Sequence, residues 1–459
     1  MKIGIIGGGL MGMALARELS NQGHVITVFE REKQLGGLST HQDYGPFYWD
    51  RFYHVVLPTD RFLIRFLGRL SSELEPRWVR TLTGFYVDRQ LYSLSSSLEF
   101  LKFPPLSLLG KARLALTLLY CARIDDWKSL EKVSVSDWLR KIGGRATYEK
   151  MWKPLLLAKL GDNYQRVSAV FIWSYIKRMF SARESASKSE HLGYIPGGYR
   201  AVFSRLEQSV SDAGGTVCTG ITVNGISEST AGGLLLSHDQ APGGEHFDKV
   251  IFTSPVSVLR QLASNRLVKL EKDGRQVEYL GVICMVLVSS KPLVPYYIVN
   301  IADSRIPFTG IIGMSNLVSG EETAGRHLTF LPKYVHSEDP LLLSADEELR
   351  KQFLQGLQLM QPGFNPDDIE SVHIHRAKRV QPLQVLNYSS LVPKVTTEHP
   401  DFYVLNTSQF VNNTLNNNEV IRFVEEFLQE HAAEFSQSRE HKENAAVPLK
   451  RAADAVLTR

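Results

Sequence analysis

Lys2-Ile3-Gly4-Ile5-Ile6-Gly7-Gly8-Gly9-Leu10-Met11-Gly12 opens the chain, and Val25-Ile26-Thr27-Val28-Phe29-Glu30 follows one short helix later. The spacing predicts a strand over residues 2–6, a helix over residues 10–21 stopped by Gly23, and a second strand over 25–29 that closes on Glu30. A strand–helix–strand unit with a GxGxxG turn is what a dinucleotide-binding fold requires. Gly7 permits the tight turn, Gly9 leaves room for a pyrophosphate against the backbone, and Gly12 lets the helix approach the sheet. The first helical turn, at Leu10 and Met11, offers unpaired N–H groups and a positive partial charge to the phosphates. Glu30 can accept hydrogen bonds from a ribose diol, and its charge disfavours the 2′-phosphate of NADP.

Outward from this unit, the 459 residues have ordinary globular composition, 43% apolar and 22% charged, with a net charge of +4. Basic residues do not interleave with aromatics in a dense stripe, so nucleic acid is not an expected partner. Cys121, Cys218 and Cys284 stand far apart, which argues against a disulfide framework, a zinc ribbon and a CxxC redox pair. His373 and His375 are expected on opposite faces of a late strand, and no metal site is expected. Neither a leader nor a run of about 20 apolar residues is recognised, so a cytoplasmic protein without a transmembrane segment is expected. Leu114–Tyr120, flanked by Lys111, Arg113 and Arg123, reads as a core helix or, in the alternative, as a helix in peripheral contact with a membrane. The expected partner is a small-molecule substrate, and the oligomeric state stays open.

The fold class expected is α/β: a Rossmann-like nucleotide-binding domain, parallel sheet plus β-meander, with an inserted α+β substrate domain. Residues 1–84, 191–260 and 386–432 read as three parts of the nucleotide domain. Residues 85–190 read as a mostly helical first part of the substrate domain, 261–385 as its antiparallel sheet, and 433–459 as a tail expected to be disordered. The meander is expected over 217–226, 234–238 and 247–253.

Three further segments carry a family likeness: Arg31-Glu32-Lys33-Gln34-Leu35-Gly36-Gly37-Leu38-Ser39, Asp50-Arg51-Phe52-Tyr53-His54, and Gly193-Tyr194-Ile195-Pro196-Gly197-Gly198-Tyr199. On these the sequence resembles the superfamily of FAD-dependent amine oxidases, protoporphyrinogen oxidases and phytoene desaturases, within it a branch of bacterial FAD-dependent oxidoreductases. In that superfamily the double glycine folds over the ribityl chain and pyrophosphate of FAD. The resemblance therefore implies FAD as cofactor, with Gly7, Gly9, Leu10, Met11, Gly12, Glu30, Arg31, Gly36, Gly37, Leu38 and Ser39 along it and the backbone of Val223 at the adenine. One departure stands out: where the superfamily carries a late Gly-Asp or Gly-Glu pair, this chain has Leu405-Asn406-Thr407 and then an Asn-rich run. Asn406 can still hydrogen-bond the ribityl chain or a phosphate, and Asn416–Asn418 can cap a helix starting near Glu419, with Asn418 as a cofactor contact.

The resemblance implies an FAD-dependent oxidoreductase that moves a hydride from a small organic substrate, by amine oxidation or C–C/C–O desaturation, to flavin N5. With a single nucleotide fingerprint, the substrate itself must reduce the flavin. Lys333, Tyr334 and His54 are the expected catalytic residues, with Trp152 and Lys159 as further pocket candidates. The alternative reading is a non-redox flavoenzyme of the sugar-nucleotide mutase type.

Overall fold

The computed structural model describes residues 1–185, 191–270 and 275–436, so the tail after 436 and the polar stretch 186–190 lie outside it. Strands Phe402–Val404, Lys249–Phe252, Lys2–Ile6, Val25–Glu30 and Thr216–Thr219 lie side by side in that order, all parallel. Their side chains are mainly buried, because both faces are covered. On one face pack helices Leu10–Asn21, Arg61–Leu70, Gly198–Asp212 and Asn417–Glu430, through residues such as Leu15, Phe66, Leu206 and Val424. On the other lies a meander, Val223–Glu228, Leu234–His238 and Ala241–Phe247, whose Leu236 and Phe247 meet Ile6, Val250 and Phe252.

The meander corrects the sequence reading in two places. The strand expected over 217–226 is split at Gly220, where φ is +69°: Thr216–Thr219 stays in the parallel sheet and Val223 starts the meander. Residues 249–252 likewise join the parallel sheet beside Lys2–Ile6 and not the meander.

A seven-stranded sheet runs in the order Ile369–Pro382, Tyr279–Ser289, His327–His336, Gly310–Gly313, Ile298–Ile301, Thr83–Val87, Gln90–Ser93. It is mixed, because Ile298–Ile301 pairs parallel with Thr83–Val87 while its other pairs are antiparallel. Every residue of Tyr279–Ser289 is buried. One of its faces (Ile283, Met285, Leu287) packs on helix Asp346–Met360 through Leu349, Phe353 and Leu357. The other (Cys284, Val286, Val288) packs on Tyr44, Phe47, Trp49 and, at the edge, Phe52 and Tyr53. The segment after the double glycine is thereby held against the seven-stranded sheet. Burial of each of these large apolar side chains contributes ~1.5–3 kcal/mol.

His373 and His375 share a face of their strand, since residues two apart point the same way, and their rings stack with centroids 6.4 Å apart. The expectation of opposite faces is corrected accordingly. Among the described residues no group of three metal-ligating side chains forms, and no helix is long and apolar enough to cross a membrane. The helical part between Ser97 and Ser185 has its own core, which includes Leu114, Cys121, Trp138, Trp152 and Trp173.

Candidate functional site

The carboxyl ends of the parallel strands form one edge, where a ligand crevice is expected in a sheet of this kind. Gly7, at φ +115°, turns the chain there and donates its N–H to the Phe29 carbonyl at 2.8 Å. A Cβ on Gly12 would overlap the Gly7 carbonyl oxygen, so the close helix–strand approach demands glycine at that position. Gly9 differs: a Cβ there meets nothing within 4 Å. Helix Leu10–Asn21 starts at Gly9 with no side-chain cap and no acidic residue in its first turn. Leu10 and Met11 send their side chains into the core, which leaves only their backbone amides for the crevice. A buried, uncapped helix start facing open space is a ready anion site.

Glu30 stands beside it. Its carboxylate accepts from the Gly8 N–H at 2.7 Å and the Glu32 N–H at 2.8 Å, one bond to each oxygen, leaving further lone pairs for diol hydroxyls. Gly36, at φ +125°, brings the second loop against the first, with its N–H on the Gly8 carbonyl at 3.0 Å. Arg31 is exposed and pairs with Glu32. Leu38 is half-buried and Ser39 buried. Val223, at the head of the meander, follows the Ile221 N–H bond to the Glu30 carbonyl, so it lies near the end of the second strand.

Asn406 closes the same edge beyond Val404. It is 2% exposed; its Oδ1 accepts from the Ser408 N–H and hydroxyl, which orients the amide, and its Nδ2 has no partner. An orphaned buried donor costs on the order of 1–3 kcal/mol, and a ligand acceptor would satisfy it. These features together fit an extended dinucleotide: an uncapped helix start, open space before Gly9, a ribose-facing carboxylate and an unmet amide.

The Asn-rich run divides its labour differently from expectation. Asn416 caps the C-terminal helix, accepting from the Glu419 N–H at 3.0 Å. Asn418 Oδ1 instead accepts from Phe62 and Leu63, at 3.0 and 3.2 Å, and so caps helix Arg61–Leu70. Its Nδ2 donates to Glu419 at 3.2 Å, so the Asn418 side chain binds two helix starts of the protein itself. Asn417, expected only as one of the possible helix caps, donates to Ser39 Oγ at 3.2 Å and also hydrogen-bonds Tyr199.

His54 belongs to this scaffold. Its Nδ1 lies 3.2 Å from Asp50 Oδ2 and its Nε2 3.4 Å from Ser39 Oγ, while Asp50 Oδ1 accepts from the Tyr199 N–H at 2.8 Å. The chain Asp50–His54–Ser39–Asn417 ties the double-glycine loop to the start of the C-terminal helix. His54 therefore holds the loop and does not meet Tyr334 or Lys333.

Its neighbour Tyr53 faces the seven-stranded sheet, with its hydroxyl 2.8 Å from that of Tyr334. Lys159 completes the cluster: Nζ donates to Tyr175 Oη at 3.0 Å and sits 4.6 Å from the Tyr334 ring centroid. Tyr175 in turn reaches Gln381 at 3.5 Å. Burial works against the Lys159 charge, but Tyr175 and Tyr334 outweigh it, and the ammonium is held above the usual lysine range. Burial, with Tyr334 adding to it, pushes the Tyr53 hydroxyl well above the usual tyrosine value, so it stays protonated.

Lys333 is not part of this cluster. It lies on the opposite side of its strand from Tyr334, donating to the Pro307 carbonyl at 2.9 Å, and burial lowers its pKa against the pull of Asp339. Of the expected pocket residues, Tyr334 stands beside Lys159 and not beside Lys333, a contact between two elements far apart in sequence. Trp152 is a core residue of the helical part. A cleft of about 310 Å³ opens between Trp127, Trp173, Lys177 and Arg178 on one side and Asn412–Glu419 on the other, against the start of the C-terminal helix.

The model of a family described as flavin containing amine oxidoreductase matches residues 10–382. A zeta-carotene desaturase of Capsicum annuum is 25% identical over 315 residues, 61% of this chain and 53% of that protein. One from Arabidopsis thaliana is 26% identical over 245 residues, 47% and 42% respectively, so the chain spans about half the length of the curated relatives it matches. An oxidoreductase from Methanosarcina mazei superposes with a TM-score of 0.71 at 20% identity, covering 94% of this chain and 100% of that one. At that level of identity the likeness is one of fold.

Proposed function

The chain belongs to the flavin-containing amine oxidoreductase family, and from that premise we propose that it oxidises a small organic substrate held between FAD and the seven-stranded sheet. The observation that carries the proposal is the pairing of two half-sites. One is the dinucleotide crevice with its orphaned Asn406 amide, and the other is the buried Lys159–Tyr334–Tyr53 cluster across the 50–54 segment. Gly7–Gly12 and the helix start would hold the diphosphate, Glu30 the adenosine ribose, the Val223 backbone the adenine, and Gly36–Ser39 with Asn406 the ribityl side. FAD, when bound, supplies an acceptor for a hydride from the substrate.

The protein's own part is to orient a C–H bond, exclude water and set the field. Tyr53 and Tyr334 present a hydroxyl pair to a polar substrate atom, and Lys159 keeps a fixed positive charge beside them. A protonated amine is repelled by that charge, so we favour a neutral or anionic substrate and C–C or C–O oxidation over amine oxidation. A flavin spectrum of the purified protein, mass analysis of the released cofactor, and anaerobic bleaching by alkenes, alcohols and amines test this. Bleaching by primary amines alone, or a colourless protein that takes up no FAD, would sink it.

A further inference from the structure

The helical part carries an apolar surface that its own fold does not cover. Helix Leu108–Arg123 buries Leu114, Thr117 and Cys121 on one side. Its other side exposes Leu108, Leu109, Ala112, Ala115, Leu116, Leu119 and Tyr120, at three- and four-residue spacings that make a single stripe. Leu108 is 79% exposed and Leu116 65%. The preceding helix, Ser97–Lys102, adds Leu98 and Leu101, and Lys111 Nζ ties the two helices together through the Leu101 carbonyl at 2.6 Å. Scattered apolar residues on a surface are normal, but seven along one face of a helix, with two more on the helix hydrogen-bonded to it, are not.

The charge around the stripe selects what would cover it. Residues 97–178 hold 15 Lys and Arg against 7 Asp and Glu, a net +8, whereas the whole chain carries only +4. The remainder of the protein is therefore net negative, and the positive charge is concentrated in the helical part that carries the apolar stripe. Lys102, Arg113, Arg123, Lys128 and Lys132 are all exposed close to it in sequence. A second copy of the chain would bring like charges together at this face, at a Coulombic cost. An anionic bilayer surface matches both features, since apolar side chains enter the headgroup–acyl boundary while Lys and Arg meet lipid phosphates. No helix among the described residues can cross a membrane, so the contact is interfacial.

We propose that the stripe from Leu98 to Tyr120, with its basic surroundings, docks the protein on an anionic lipid surface. The test is co-sedimentation of the full flavin-loaded chain with vesicles of phosphatidylcholine alone and of phosphatidylcholine with phosphatidylglycerol. Binding is expected to the anionic vesicles, weaker to the neutral ones, and to fall as salt rises. The double variant Leu108→Glu/Leu116→Glu should lose more than about tenfold in vesicle affinity while keeping its flavin content. Arg113→Ala/Arg123→Ala should lose the preference for anionic lipid. Equal sedimentation with and without vesicles overturns the proposal, as does a Leu108→Glu/Leu116→Glu variant that binds like the parent. A concentration-dependent dimer that the same variant dissociates would reassign the face to self-association and equally overturn it.

Discussion

Replacing Gly9 by alanine separates the cofactor's needs from the fold's. In the protein alone the new methyl meets nothing within 4 Å, and the backbone at φ −74° and ψ 179° suits any residue. Two small effects then oppose each other. Loss of glycine's unfolded-state freedom stabilises by ~0.4–1 kcal/mol, and alanine as helix N-cap costs about 0.5–1 kcal/mol. The apoprotein should therefore stay within about 1 kcal/mol of the parent. A diphosphate against that backbone would lose its contact, and FAD affinity should fall at least about tenfold, or about 1.4 kcal/mol. Thermal unfolding of the apoprotein, followed by the same scan over an FAD titration, reads both quantities, because bound ligand stabilises in proportion to its affinity. Gly12→Ala is the contrast: its Cβ overlaps the Gly7 carbonyl, and the apoprotein itself should lose at least about 2 kcal/mol. A Gly9→Ala protein with parental FAD affinity would refute the placement of the diphosphate on this turn.

Other outcomes follow from the same geometry. Asn406→Ala should cost the apoprotein about 1 kcal/mol through the lost cap on Ser408 and, separately, lower FAD affinity in the titration; unchanged affinity would remove Asn406 from the cofactor's contacts. Asn418→Ala should destabilise by about 1 kcal/mol through helix Arg61–Leu70 while leaving flavin content intact. Lys159→Met should slow anaerobic flavin reduction by on the order of tenfold to a hundredfold with flavin content unchanged, whereas Lys333→Met should not. Burial, reinforced by Arg51 and His373, lowers the His375 pKa from 6.5 to about 4, so the unfolded chain takes up this proton before the native one. Stability should thus fall as pH drops from 6.5 to about 4, by on the order of 2–3 kcal/mol from this residue. Urea titrations of His375→Gln across that window should lack this slope.

The sequence alone carried the opening half of the site. A glycine pattern, one helix and a closing acid are local features, and Gly7 and Gly12 each answer to a backbone constraint within thirty residues. The fold class was legible for the same reason, since strand and helix periods are short-range. Tertiary structure alone decided which side chains meet. Lys333 and Tyr334 are neighbours in sequence but face opposite ways, while Lys159 reaches Tyr334 from a helix over 150 residues away. Tyr279–Ser289 is buried along its whole length, so no alternation betrays which face looks toward the cofactor. Asn418 was read as a contact because an Asn-rich run before a helix allows several caps, and only packing against Arg61–Leu70 assigns each one. Local backbone geometry is written in consecutive residues; the meeting of distant side chains depends on how the sheets and helices stack.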